Sequence, residues 1–108
     1  MVELQAADRW QAIDELINHL VAAGLVAPEN CQAVTEAVKK RESAMSTGIG
    51  SGMAIPHAST DLVSDTVSIM GRSKTGIDFA SLDGKPVHKV CLFLGGAGGK
   101  SRKGSRWS

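Results

Sequence analysis

Three observations predict a single domain that combines helices with strands. Apolar residues recur at helical spacing twice within the first 41 positions. In the second half they alternate or run continuously, as strands require. The two regimes meet at a glycine-rich stretch ending in a histidine. At 108 residues the chain can bury one modest core.

Arg9 to Ala23 reads as the first helix. Trp10, Ile13, Ile17 and Leu20 recur at steps of three and four, and Leu16 and Val21 widen the stripe. Gly24 is its natural stop. His19 falls on the polar side, one turn beyond Glu15, where a solvated side chain is expected. Pro28 opens a second helix at a first-turn position, with Glu29 near its positive end. Cys31, Val34 and Val38 form its buried stripe, flanked by Ala37. Continued at ~100° per residue, that stripe reaches Arg41. A guanidinium in line with an apolar face needs an acceptor or an anion. Arg41 therefore either serves the last carbonyls of its helix or belongs to a site in the glycine stretch that follows.

That stretch is Ser46-Thr47-Gly48-Ile49-Gly50-Ser51-Gly52-Met53-Ala54-Ile55-Pro56-His57. Its first half alternates glycine with small residues, so the backbone can take φ > 0 and expose successive N–H groups. Met53 to Ile55 is apolar and strand-like, and Pro56 holds the residue before it extended. Two readings follow. In one, a donor-rich loop and a rigid strand offer the His57 imidazole to an anion. In the other, a glycine turn leads into an edge strand with a surface histidine at its end.

Beyond His57, Ala58 to Ser64 is a polar loop. Asp65 to Arg72 alternates, with Val67 and Ile69 on one face and Thr66, Ser68, Met70 and Arg72 on the other, which predicts a half-buried strand. Ser73 to Gly76 reads as a turn, Ile77 to Leu82 as a short apolar segment, and Asp83-Gly84-Lys85-Pro86 as a stronger turn. Val90 to Leu94 is continuously apolar, as in a strand covered on both faces. His88 is either a strand-edge surface residue or a neighbour of His57. From Gly95 the chain turns to glycine and basic residues with no apolar period, which predicts a domain over 1–94 and a flexible tail over 95–108.

Composition removes several function classes. With 12 basic and 11 acidic residues the formal charge is +1, which gives no general attraction to nucleic acid or membrane. The first residues lack the basic and apolar runs of a signal peptide, and nothing approaches the ~18 apolar residues of a membrane span. Cys31 and Cys91 both fall within apolar patterns and read as buried reduced thiols, which suits a cytoplasmic location. Gly48-Ile49-Gly50-Ser51-Gly52 is no dinucleotide fingerprint, because it precedes a strand rather than opening a helix. Gly99-Lys100-Ser101 is no P-loop: the required first glycine falls on Leu94, and too few residues follow for a phosphate-capping helix. Ile49 stands where a G-x-S-x-G nucleophile elbow needs glycine. The histidines and cysteines lack zinc-ligand spacing, so no metal is expected. The basic tail with Trp107 is too sparse in aromatics to make nucleic acid an expected partner.

The run from Arg41 to His57, Arg-Glu-Ser-Ala-Met-Ser-Thr-Gly-Ile-Gly-Ser-Gly-Met-Ala-Ile-Pro-His, resembles the active-site signature of enzyme IIA domains. These belong to the phosphoenolpyruvate-dependent phosphotransferase system, in its fructose, mannitol and nitrogen-regulatory class. The similarity continues through Arg72-Ser73-Lys74, Gly76-Ile77-Asp78-Phe79 and Asp83-Gly84-Lys85-Pro86-Val87, to about Leu94. It implies an α/β fold, a mixed β-sheet flanked by helices. It also implies a phosphotransferase component in which His57 accepts a phosphoryl group from HPr or its nitrogen-branch counterpart. His57 then passes the group to a IIB domain on a separate chain in sugar uptake, or acts as a regulatory module by binding proteins. Through the resemblance, Nε2 of His57 is the reacting atom and Nδ1 is oriented by an acceptor. Arg41 supplies a donor fork to the phosphoryl oxygens, and Ser46, Thr47 and Gly48 supply neutral donors. No cofactor is implied.

The family continues after Val90 to Leu94 with further helix and strand, and commonly with a second histidine; here the glycine-basic tail follows, and His88 does not match that second position. A shortened domain is therefore expected, with apolar surface left uncovered, a homodimer through that surface, and weakened phosphoryl transfer.

Overall fold

A computed structural model describes residues 1–63 and 65–96. The chain begins with strand β1 (Val2–Glu3), helix α1 (Arg9–Ala22), a 3-10 turn (Pro28–Asn30) and helix α2 (Cys31–Ala44). Strands β2 (Gly48–Gly50), β3 (Met53–Ala54), β4 (His57–Thr60), β5 (Val67–Ile77) and β6 (Val87–Gly96) follow. The sheet runs β1-β5-β6-β3-β2, with β4 also on β6. β5 lies antiparallel to β6, while β3 and β4 lie parallel to it and β1 lies parallel to β5. The expected mixed sheet is present.

The helices form where the spacing predicts. Asp8 caps α1, its carboxylate accepting from the Gln11 N–H at 2.8 Å, and Ala12, Ile13, Leu16, Ile17 and Leu20 are buried. His19 is exposed, as its polar-side position requires. The α2 stripe departs from expectation at its end. Its buried residues are Val34, Val38 and Glu42, so the i+4 row continues onto a carboxylate while Arg41 is only half-buried. Positions 41 and 42 both lie about one turn from Val38, and periodicity alone does not choose between them.

The core fills one side of the sheet. Val90, Leu92 and Leu94 are buried, and in the β5–β6 register they stand opposite Gly71, Ile69 and Val67. α1 packs so closely over β5 that a Cβ on Gly71 would stand 2.8 Å from Leu4 Cγ and 3.0 Å from Leu16 Cδ2. Coverage of Val90 to Leu94 on both faces is not found. Phe93 and Met70 are 37% and 36% exposed, and Cys91, paired with Met70, is half-buried. A continuous apolar run does not report that alternate residues face opposite sides. Both cysteines are unpaired and half-buried rather than buried.

Three further expectations change, the first being the polar loop expected after His57, whose residues as far as Thr60 belong to β4. The turn at Ser73 to Gly76 is an irregularity inside β5, where Arg72 pairs with Lys89 but Ile77 with Val87. The Ser73 hydroxyl accepts from the Gly76 N–H at 3.0 Å and closes that bulge. The segment Ile77 to Leu82 splits, with Ile77 and Phe79 buried and Leu82 89% exposed. β6 runs through Gly96, two residues beyond Leu94; the rest of the expected tail lies outside the described residues. Arg72, on the open face, pairs with Glu3. No helix of the described residues is long and apolar enough to cross a membrane.

Candidate functional site

The glycine stretch folds as a hairpin rather than an open cradle. Gly48 pairs with Ala54 and Gly50 with Met53. Gly50, Ser51 and Gly52 take φ of 95°, 58° and 78°, three consecutive left-handed residues that turn the chain between β2 and β3. The turn at Ser81 to Pro86 clamps this hairpin from outside. Leu82 N–H donates to Gly48 O at 3.4 Å, and the Ser51 N–H donates to the Asp83 carboxylate at 3.1 Å. The other Asp83 oxygen accepts from the Lys85 N–H at 3.0 Å. These bonds, that from Lys85 foremost, hold the Asp83 carboxyl below its ordinary value.

His57 opens β4 and is exposed. β4 pairs parallel with β6, His57 opposite Phe93, and the Phe93 N–H donates to Pro56 O at 3.0 Å. Partners in a ladder share a face, so His57 stands beside the exposed Phe93 on the open side of the sheet. Its ring is not free to turn. Nδ1 lies 2.9 Å from the Ile55 carbonyl oxygen. A carbonyl only accepts, so Nδ1 carries a proton, and in the neutral imidazole the lone pair then resides on Nε2.

α2, which carries Arg41, packs against β4. Nη1 of Arg41 donates to the Met45 carbonyl at 2.9 Å, serving the end of its own helix. The neutral donors of the signature are engaged inside the fold. The Ser46 hydroxyl donates to Phe79 O and accepts from the Gly48 N–H at 3.0 Å. The Thr47 N–H and hydroxyl both go to Glu42. His88 is no neighbour of His57: its residue lies five positions along β6 from Phe93, ~17 Å of strand. Its Nδ1 donates to Ser73 O at 2.9 Å.

Sequence reasoning missed Glu42 and Arg9. Glu42 is 1% exposed, and its carboxylate meets Nη1 of Arg9 at 3.1 Å. Arg9 also donates to Phe79 O at 3.3 Å and lies over the Trp10 ring, 4.5 Å from its centroid. The available signal was an acid one turn beyond Val38 on the buried row, which no apolar-period count registers.

The model of the family described as "Phosphoenolpyruvate-dependent sugar phosphotransferase system, EIIA 2" matches residues 1–100. The chain belongs to that family. Among EIIA 2 relatives, the fructose-specific EIIABC component of Bacillus subtilis is 42% identical over 92 residues, covering 85% of this chain and 14% of that protein. The fructose-specific EIIA component of Haloferax volcanii is 38% identical over 98 residues, covering 91% of this chain and 62% of the relative. The crystal structure of the nitrogen regulatory protein IIA-Ntr from Neisseria meningitidis superposes with a TM-score of 0.75 at 26% identity, covering 86% of this chain and 62% of that one. The chain thus spans less than two thirds of each of these relatives.

Proposed function

We propose that this EIIA 2 chain is a histidine phosphocarrier that takes a phosphoryl group onto Nε2 of His57. The donor is HPr or its nitrogen-branch counterpart, and the acceptor is a IIB domain on a separate chain in sugar uptake. The observation that carries the reading is the Nδ1 to Ile55 O hydrogen bond, which places a nucleophilic lone pair on an exposed ring. In the transfer, the Nε2 lone pair forms a bond to phosphorus as the bond from phosphorus to the donor atom breaks. Nδ1 keeps its proton throughout. Arg41 leaves the Met45 carbonyl, or shares it, and presents its fork to the equatorial oxygens. Ser46, Thr47 and Gly48 act as phosphoryl ligands by exchanging present partners, Ser46 most readily because it is half-buried while Thr47 is 5% exposed.

Incubation with phosphoenolpyruvate, enzyme I and HPr tests this directly. Wild type takes an acid-labile, base-stable label and His57→Ala does not; label that persists in His57→Ala rejects the site.

The likeness to a nitrogen regulatory protein favours a second reading, a regulatory module that works by binding protein partners from the cytoplasm. It predicts a phosphorylated His57 whose label does not pass on to a IIB domain. A homodimer through apolar surface left uncovered is part of our proposal under either reading. A single monomer species in sedimentation velocity rejects it.

A further inference from the structure

We infer that Glu42 and Arg9 are positioning residues for the His57 imidazole, acting through a continuous chain of hydrogen bonds that sets its tautomer. The inference rests on the reading of His57 as phosphoryl acceptor. The chain is explicit at every link. Arg9 Nη1 donates to a Glu42 oxygen at 3.1 Å. The Glu42 carboxylate accepts the Thr47 N–H, at 3.2 and 3.3 Å to its two oxygens, and the Thr47 hydroxyl. Thr47 O accepts from the Ile55 N–H at 2.9 Å, and Ile55 O accepts from His57 Nδ1 at 2.9 Å. An ion pair of a buried carboxylate and a partly exposed guanidinium is thus tied, through the main chain of two residues, to the ring at the other end.

The arrangement costs the fold something and so asks for a use. A carboxylate whose side chain is wholly shielded from solvent is expensive unless paired and hydrogen-bonded, and an apolar residue would continue the Val34 and Val38 stripe. What the carboxylate does is hold Thr47 at one backbone position, the residue that hands the chain from α2 to the β2–β3 hairpin. Thr47 in turn holds the Ile55 N–H, and the extended backbone that Pro56 imposes on Ile55 carries that hold to the next peptide, whose carbonyl must point at Nδ1. Arg9 reinforces the same region from a second direction by sharing the Phe79 carbonyl with Ser46. If Thr47 shifts, the Ile55 carbonyl loses its aim, and His57 is free to carry its proton on Nε2, the atom that must be bare.

The test is a ring-tautomer measurement joined to a transfer rate. Nitrogen-15 spectra of His57 in the full chain report the Nδ1–H form in wild type. In Glu42→Gln and Thr47→Val they move toward a mixture of both tautomers. Phosphoryl transfer from phosphorylated HPr falls about 10-fold or more at saturating carrier in Glu42→Gln, with the half-saturating concentration unchanged. Thr47→Val keeps its N–H bond and falls less, which covers the case in which Glu42→Gln does not fold. Wild-type tautomers in the folded variants overturn the inference whatever the rate does, because lost rate alone is what a merely structural role predicts. A shifted tautomer with an undiminished rate overturns the link to transfer. If wild type takes no phosphoryl group, the proposed function fails, while the spectra still decide whether Glu42 sets the ring.

Discussion

The main-chain carbonyl of Ile55 lies 2.9 Å from Nδ1 of His57, two residues along the same strand-like segment. Because Pro56 separates them, the segment cannot relax into a helical turn, and Ile55 keeps the extended backbone that aims its carbonyl at the ring. A local sequence feature thereby becomes a chemical one: the proton sits on the inner nitrogen and the outer nitrogen is the base. This local hydrogen bond orients the ring, and the bond from the Ile55 N–H to Thr47 O ties the same residue to the α2 end of the fold.

Arg41 separates structural from chemical roles. Its hydrogen bond to Met45 O lies at an exposed helix end, so Arg41→Ala lowers stability by only about 1 kcal/mol. If its guanidinium compensates charge on the transferring group, the same change slows transfer by about 100-fold. Urea denaturation and rapid-quench transfer assays check the two effects separately. A transfer rate equal to wild type removes Arg41 from the mechanism.

Asp83 gives the fold an acid dependence of known sign. The N–H groups of Lys85 and Ser51 hold its folded-state carboxyl below the ordinary 3.8. A depressed folded value means the contribution to stability is complete above that ordinary value and is lost as pH falls through the lower folded one. Asp83→Asn therefore lowers the melting temperature at pH 7 and narrows the gap to wild type near pH 3. Melting curves at the two pH values check it, and an equal gap at both refutes the linkage.

Gly48 and Ser81 test the clamp on the hairpin. A Cβ on Gly48 would stand 2.4 Å from Ser81 Oγ and 3.0 Å from Ser81 Cα, so Gly48→Ala displaces the outer turn and destabilises by about 1–3 kcal/mol. The buried Ser81 Oγ has no hydrogen-bond partner. Ser81→Ala then removes an unsatisfied polar atom and is neutral or stabilising. Combined with Gly48→Ala, it recovers part of the loss. Denaturant midpoints of the two single variants and the double variant give the coupling.

Much of the frame was legible in the sequence, for physical reasons. Helical periods place α1 and α2 because each buries one continuous stripe, and the turn at Asp83 to Pro86 is written in its residue types. His57 stands out because proline, an apolar strand and a glycine run precede it. The failures share a different cause. β1 and β2 are two and three residues long and exist only through pairing. Glu42 is buried by its partners Arg9 and Thr47, which are distant from it or on the far side of the helix end, so its apolar surroundings are invisible to a one-dimensional pattern. The bulge at Ser73 to Gly76 reads as a turn because the same residue types serve both.

The one-sidedness of β6 is the point at which sequence and structure part most clearly, and a pair of adjacent substitutions measures it. Leu92 is fully buried and faces Ile69 across the β5–β6 ladder, whereas Phe93 is 37% exposed between His57 and Ser68. Truncating Leu92 to alanine removes packed methyl groups from the core and leaves a void, a loss of about 2–5 kcal/mol. Truncating Phe93 removes a larger side chain, yet its exposed part returns little energy because water already covers it. Phe93→Ala therefore costs less than Leu92→Ala, although a strand covered on both faces demands the reverse order by size. Urea midpoints rank the two. Should Phe93→Ala prove the costlier, the face beside His57 is covered in solution, and association through it is then the cause to test by repeating the measurement at tenfold lower protein concentration.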